Sequence, residues 1–180
     1  ILYFHNDPLT MNGSKTIKDR IILLTKVDHF IFNSNWSLNR FKIGITDIEN
    51  YKNNFSVIYQ SVSKPKINFS KKKNIISFIG KLNSAKGYDV FGSAITKILN
   101  KYPKWKSIVI GDEPREKHYF EHKNLKNYGY KDHKFILKQL EKTSISVICS
   151  RWNEPLGRAS LEACSRGSVP IITNRGGLPE

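Results

Sequence analysis

From Asn74 to Ile172, short apolar runs alternate with longer amphipathic stretches, and the runs break at Gly80, Gly111, Gly129 and Ser150. The spacing predicts strands at Ile75–Ile79, Ser107–Ile110, Leu125–Tyr128, Ile145–Cys149 and Val169–Ile172. Helices are expected at Gly87–Lys101, Glu116–Lys123, Asp132–Lys142 and Gly157–Arg166. Strands and helices in strict alternation predict an α/β fold, a parallel sheet with helices on both faces. Ligands of such sheets bind outside the carboxyl ends of the strands, so the four breaks mark the loops that would share a functional edge.

The stretch before Asn74 carries a second, shorter pattern. Strands are expected at Ile1–Phe4, Phe30–Asn33 and Phe55–Tyr59, with helices around Lys15–Lys26 and from Ser34, a credible N-cap, to Phe41. A Lys, Ser and Asn-rich segment with Pro65 reads as a linker, giving an end-of-domain piece over residues 1–70 and a larger domain over 71–180. Ile1 opens inside an apolar run and Glu180 closes on a turn, so the chain reads as a fragment of a longer protein.

The hydrophobic content of 39% supports a packed core, and no run approaches the length of a membrane span. Cys149 and Cys164 lack metal-ligand spacing and are expected as reduced core thiols, which favours a cytoplasmic location. The formal charge of +15 suits an anionic partner, although lysine is scattered and only Lys71-Lys72-Lys73 is compact, reading first as a solvated linker.

Chemistry concentrates in two of the loops. Gly80 and Gly87 bracket Lys81 and Lys86, flexible point charges suited to a diphosphate. In the run Glu154-Pro155-Leu156-Gly157-Arg158-Ala159-Ser160-Leu161-Glu162, the Leu156 and Gly157 amides precede a helix start where a phosphate can dock. Glu154 would meet a sugar from the loop, and Glu162, between Leu161 and Ala163-Cys164, would accept ribose hydroxyls from an apolar setting.

The segments Phe78-Ile79-Gly80-Lys81-Leu82, Lys86-Gly87, Val109-Ile110-Gly111-Asp112, Gly129-Tyr130, Glu154-Pro155-Leu156-Gly157, Glu162-Ala163 and Gly176-Gly177-Leu178-Pro179-Glu180 together resemble the nucleotide-binding half of family 4 glycosyltransferases. The resemblance implies the GT-B fold, two Rossmann-like domains facing a cleft, of which the first is here partial. It implies retaining transfer of a hexose from a nucleotide diphospho-sugar, the co-substrate, to a cell-envelope or polysaccharide acceptor, glycan or lipid-linked. No metal or other cofactor is expected.

On that resemblance His5 approaches the donor sugar, and Lys81 and Lys86 neutralise the diphosphate. Glu154 positions the sugar, Glu162 holds the ribose, and Gly80, Gly111, Leu156 and Gly157 supply close backbone. Tyr130 and Asp132 lie near the base. His5, Glu154 and Lys86 are the candidate catalytic residues. Lys81 stands where the family often has Arg, and Leu156 where Phe is common. The family's glycine-rich N-terminal loop and closing C-terminal helices are not in the sequence, so this piece alone is expected to be inactive.

Three other readings compete. His118-Tyr119-Phe120-Glu121-His122 matches the H-x-x-E-H pattern of inverted zinc peptidases, which requires both histidines on one helix face. Basicity with Tyr128, Tyr130, Trp105 and Trp152 suggests a nucleic-acid module, but no signature of one is present. GT-B sugar-nucleotide epimerases and glycogen-type synthases would share the architecture. The basic surface also suits peripheral contact with the anionic inner face of a membrane.

Overall fold

The computed structural model describes residues 1–180 and divides into two compact units. One holds residues 1–60, 153–157 and 175–180, and the other residues 61–152 and 158–174.

The first unit is a parallel three-stranded sheet in the order β1 (Leu2–Phe4), β2 (His29–Phe32), β3 (Asn54–Val57), crossed by α1 (Ile17–Lys26) and α2 (Asn35–Lys42). Phe4, Phe30, Phe32 and Phe41 are buried and stack on one another and on Phe55, so aromatic rings make up most of this small core. Thr16 and Asp19 form a capping box at the start of α1, and Ser34 caps α2 by accepting from the Ser37 amide.

The second unit is a five-stranded parallel sheet in the order β6-β5-β4-β7-β8, with β4 (Lys73–Ile79), β5 (Lys106–Ile110), β6 (Leu125–Asn127), β7 (Thr143–Ile148) and β8 (Val169–Ile172). The path steps outward from β4 to β5 and β6, then jumps to β7 and β8 on the other side. Right-handed crossovers therefore set α3 (Tyr88–Lys101) on one face, and α4 (His133–Leu140) and α5 (Arg158–Ser165) on the other. Tyr88, Phe91, Ile95 and Leu99 of α3 bury against Ile76, Phe78 and Val109, each side chain contributing about 1.5–3 kcal/mol. Trp105 packs against the same cluster. Four of the five strands are legible in the sequence because β4, β5, β7 and β8 each carry an apolar run, whereas the edge strand β6, Leu-Lys-Asn, has a single apolar residue.

Residues 116–123 are not a helix, contrary to the periodicity. Phe120 lies over Gly92 of α3, where even a Cβ would meet its ring at 2.1 Å, and both His118 and Phe120 contact the Tyr88 ring. These tertiary contacts draw the segment out along α3. Cys164 is exposed rather than a core thiol, whereas Cys149 is half-buried.

Lys72 also departs from expectation. Its Nζ turns inward and donates to the carbonyls of Leu140, Thr143 and Arg166 at 2.9, 2.7 and 2.7 Å. One ammonium thus serves carbonyls at the ends of α4 and α5, where the helix dipoles concentrate negative charge. Burial pushes its pKa below the usual lysine value.

Candidate functional site

All five strands of the larger sheet run the same way, so their carboxyl ends share one edge. The order reverses between β4 and β7, and a crevice at such a switch point is where open α/β sheets take their ligands.

Backbone contacts join the loops at this edge. Gly80 donates to the Ile110 carbonyl at 3.0 Å, and Gly111 to the Gly129 carbonyl at 2.9 Å. Past Gly80, Asn83 caps the 3-10 turn Ser84–Lys86, and Gly87, at φ 74°, turns the chain into α3. The loop after β7 closes on this turn: the Arg151 and Trp152 amides both donate to the Ala85 carbonyl, and Arg151 forms a two-armed pair with Asp89 at 2.8 Å. Lys81 is exposed and Lys86 half-buried on a loop that is thus fixed at both ends.

The loop after β5 grips the same turn with two carboxylates. Glu116 accepts from the Ser84 amide at 2.8 Å and the Ser84 hydroxyl at 2.9 Å, with His118 at 3.2 Å. Glu113 takes Asn83 and a two-armed Arg115. The Arg115 guanidinium first, then its amide and Asn83, hold Glu113 at a pKa of about 2; the Ser84 amide and hydroxyl, with His118, lower Glu116 from 4.5. A cavity of about 300 Å³ opens here, lined by Leu82, Gly111, Glu113, Glu116, His118 and Gly129 among others. Glu113 and Glu116 carry no sequence signal, since neither falls in a recognisable motif.

Because both folded pKa values are depressed, the stability these groups add is complete above the unfolded carboxylate value and disappears as pH falls through the folded one. Thermal midpoints are therefore expected to decline from about pH 4.5 towards pH 2. Glu116→Gln should lower the midpoint at pH 7 and flatten the upper part of that decline, as read by circular dichroism. An unchanged profile in the variant would remove the clasp from the stability of the unit.

Glu162 sits on α5, but its surroundings are ionic, not the apolar setting expected. His133 Nε2 lies 3.1 Å and Arg158 3.4 Å from the same oxygen, Oε1. Ala163, its neighbour in sequence, is the residue that turns into the core. His133 could not be read from the sequence because it is brought from α4. Tyr130 is 74% exposed and does not line the cavity, while Asp132 caps α4 by accepting from the Phe135 amide at 2.7 Å.

The remaining candidates belong to the smaller unit. His5 follows β1; its carbonyl accepts from Asn33, its ring packs on Tyr3, and Gln60 Nε2 meets Nδ1 at 2.7 Å. With Gln60 donating, the neutral ring carries its hydrogen on Nε2. Asp7 is a structural residue, paired with Arg40. Glu154 bridges in parallel to Gly176, and the Gly177 amide donates to the Glu154 carbonyl at 2.7 Å. A Cβ on Gly176 would stand 2.1 Å from that carbonyl, which explains why glycine follows at this point. Leu156 is buried, and Gly157 has φ 86°. Glu180 accepts from the Asn35 and Trp36 amides at the start of α2.

The zinc-peptidase geometry is not formed. His118 turns to Glu116 and Ser84, His122 to Asn100, and no helix carries them. No helix is long and apolar enough to cross a membrane.

A parallel sheet in this order, flanked by helices and bearing glycine loops at its switch point, is a Rossmann-like domain, and the solved structures it resembles are GT-B glycosyltransferases. The structure superposes on Anabaena HepE bound to UDP with a TM-score of 0.77 over 98% of this chain and 54% of that one, at 18% identity. The chain belongs to the glycosyl transferases group 1 family, whose model matches residues 60–180. It is 25% identical over 210 residues to YtcC of Bacillus subtilis, a protein with a provisional glycosyltransferase name, covering 100% of this chain and 51% of that protein. It is 32% identical over 113 residues to a 2-deoxystreptamine N-acetyl-D-glucosaminyltransferase of Niallia circulans, covering 58% and 28%. The chain thus spans about half, or less, of the length of these relatives.

Proposed function

We propose that the chain carries the donor-binding part of a retaining, family 4 hexosyltransferase that uses a nucleotide diphospho-sugar and serves cell-envelope or polysaccharide synthesis. The observation that carries this reading is the anchored turn between β4 and α3, which presents Lys81 and Lys86 at the switch point of the sheet. Structures of Anabaena HepE with UDP-glucose and with UDP support the choice of donor class.

In this reading the two ammonium groups balance the diphosphate in the ground state and stabilise the charge that grows on its leaving oxygen as the sugar departs. A turn held by Glu113, Glu116 and Arg151 spends little reorganisation on that task. Glu162 accepts the ribose hydroxyls, and Gly80 and Gly111 permit close approach of backbone to ligand. The Leu156 and Gly157 amides take phosphate, Glu154 takes the sugar hydroxyls, and His5 approaches the sugar, roles that rest on the family resemblance. No side chain is assigned as a covalent nucleophile, and no metal is assigned a role.

Calorimetry with UDP-, GDP- and ADP-hexoses, with chelator present, is expected to find one saturable donor. With the full-length protein, mass spectrometry and anomer analysis of the product then separate transfer with retention from epimerisation, which needs no acceptor. Binding of oligonucleotides but of no nucleotide-sugar would overturn the proposal.

A further inference from the structure

We propose that the linker from Ser61 to Lys73 docks this protein on an anionic lipid surface. The segment holds five lysines and no acidic residue. Lys72 is committed inward to three carbonyls, which leaves Lys64, Lys66, Lys71 and Lys73 exposed. Among them Phe69 is 70% exposed. It stands at the head of the 3-10 turn Phe69–Lys71, which Asn68 fixes by accepting from the Ser70 amide and hydroxyl at 3.0 and 2.7 Å.

Beneath the turn lies a cavity of about 200 Å³ between the linker and the ends of α4 and α5, lined by Lys66, Asn68, Lys71, Glu141 and Arg166. Arg166 is 7% exposed; its two terminal nitrogens donate to Ser63, while its buried Nε has no partner. Three cations against the single carboxylate of Glu141 make the cavity attractive to a phosphate. Lys72 has already taken up the helix-end carbonyls, so these three cations are not needed there.

An apolar anchor beside a cluster of lysines is the two-signal arrangement by which proteins hold to charged bilayers: the ring enters the interface while the ammonium groups meet the headgroups. Nucleic acid fits less well, because single strands call for successive aromatic platforms and Phe69 stands alone.

Vesicle co-sedimentation of the whole chain tests this, with phosphatidylcholine alone and with added phosphatidylglycerol. Partition is expected only with the anionic lipid and should weaken with salt. Phe69→Ser should reduce it about tenfold, and the double variant Lys66→Ser/Lys71→Ser roughly 20- to 30-fold. The pair Lys97→Ser/Lys104→Ser removes equal charge from α3 and the turn after it and should stay within about threefold. Circular dichroism checks that each variant folds. Equal losses from both lysine pairs would overturn the proposal, as would equal binding to neutral vesicles. So would saturable binding of glycerol phosphate without vesicle partition, or oligonucleotide binding that replaces it.

Discussion

Lys86→Ala is expected to weaken binding of a nucleoside diphosphate or its sugar ester about 100-fold while leaving the nucleoside itself unaffected. A charged hydrogen bond to phosphate contributes about 1.5–3 kcal/mol, and the higher figure applies where the donor is held in place. The backbone that carries Lys86 is held: its amide donates to Asn83 at 3.0 Å, and Gly87 after it is buried against the end of β7. Glu162→Ala should act on a different part of the ligand, with about a tenfold loss for UDP-type ligands that vanishes when the ribose lacks its hydroxyls. His133 and Arg158 both fall on Oε1, so on the proposed reading Oε2 is the oxygen that would meet the ribose. Calorimetry with UDP, its 2′,3′-dideoxy analogue and uridine separates the effects. Unchanged affinity in both variants would sink the assignment of these residues to the donor.

The sheet is legible because a buried parallel strand is mostly apolar, with Ser77 and Ser146 satisfying each other inside it, and its loop must bend sharply. Gly80, Gly111 and Gly129 therefore mark the carboxyl-end edge of the strands in the sequence itself. What escaped the sequence depends on residues brought from elsewhere. Glu162 looked isolated among apolar neighbours, yet adjacent residues on a helix point in different directions, and its partners come from Arg158 one turn back and His133 on α4. Lys72 read as part of a solvated run, but the carbonyls it serves lie at the ends of helices about seventy to ninety positions away. The helical periodicity of residues 116–123 lost to the packing of Phe120 over Gly92, a contact with no local trace. The carboxylates that clasp the Ser84 turn were silent for the same reason.

Gly87→Ala is expected to be strongly destabilising, costing about 4 kcal/mol or more. Two effects add. At φ 74° an alanine is in the left-handed region, which alone costs about 1–2 kcal/mol. Its Cβ would also stand 2.0 Å from the Cys149 carbonyl oxygen and 2.9 Å from the carbonyl carbon. These are backbone atoms at the end of β7, so the contact cannot be relieved by turning a side chain; either β7 or the start of α3 must move. Gly129→Ala supplies the control, because at φ 64° it carries the same conformational cost with nothing within 4 Å. Thermal unfolding should place Gly129→Ala within about 5 °C of the parent and Gly87→Ala at least about 10 °C below it. If the two variants fell together, conformational preference alone would govern the turn. If Gly87→Ala falls far lower and loses donor affinity with it, the close approach of β7 is what holds Lys86 in place, and glycine is required there because no larger residue leaves room for the Cys149 carbonyl.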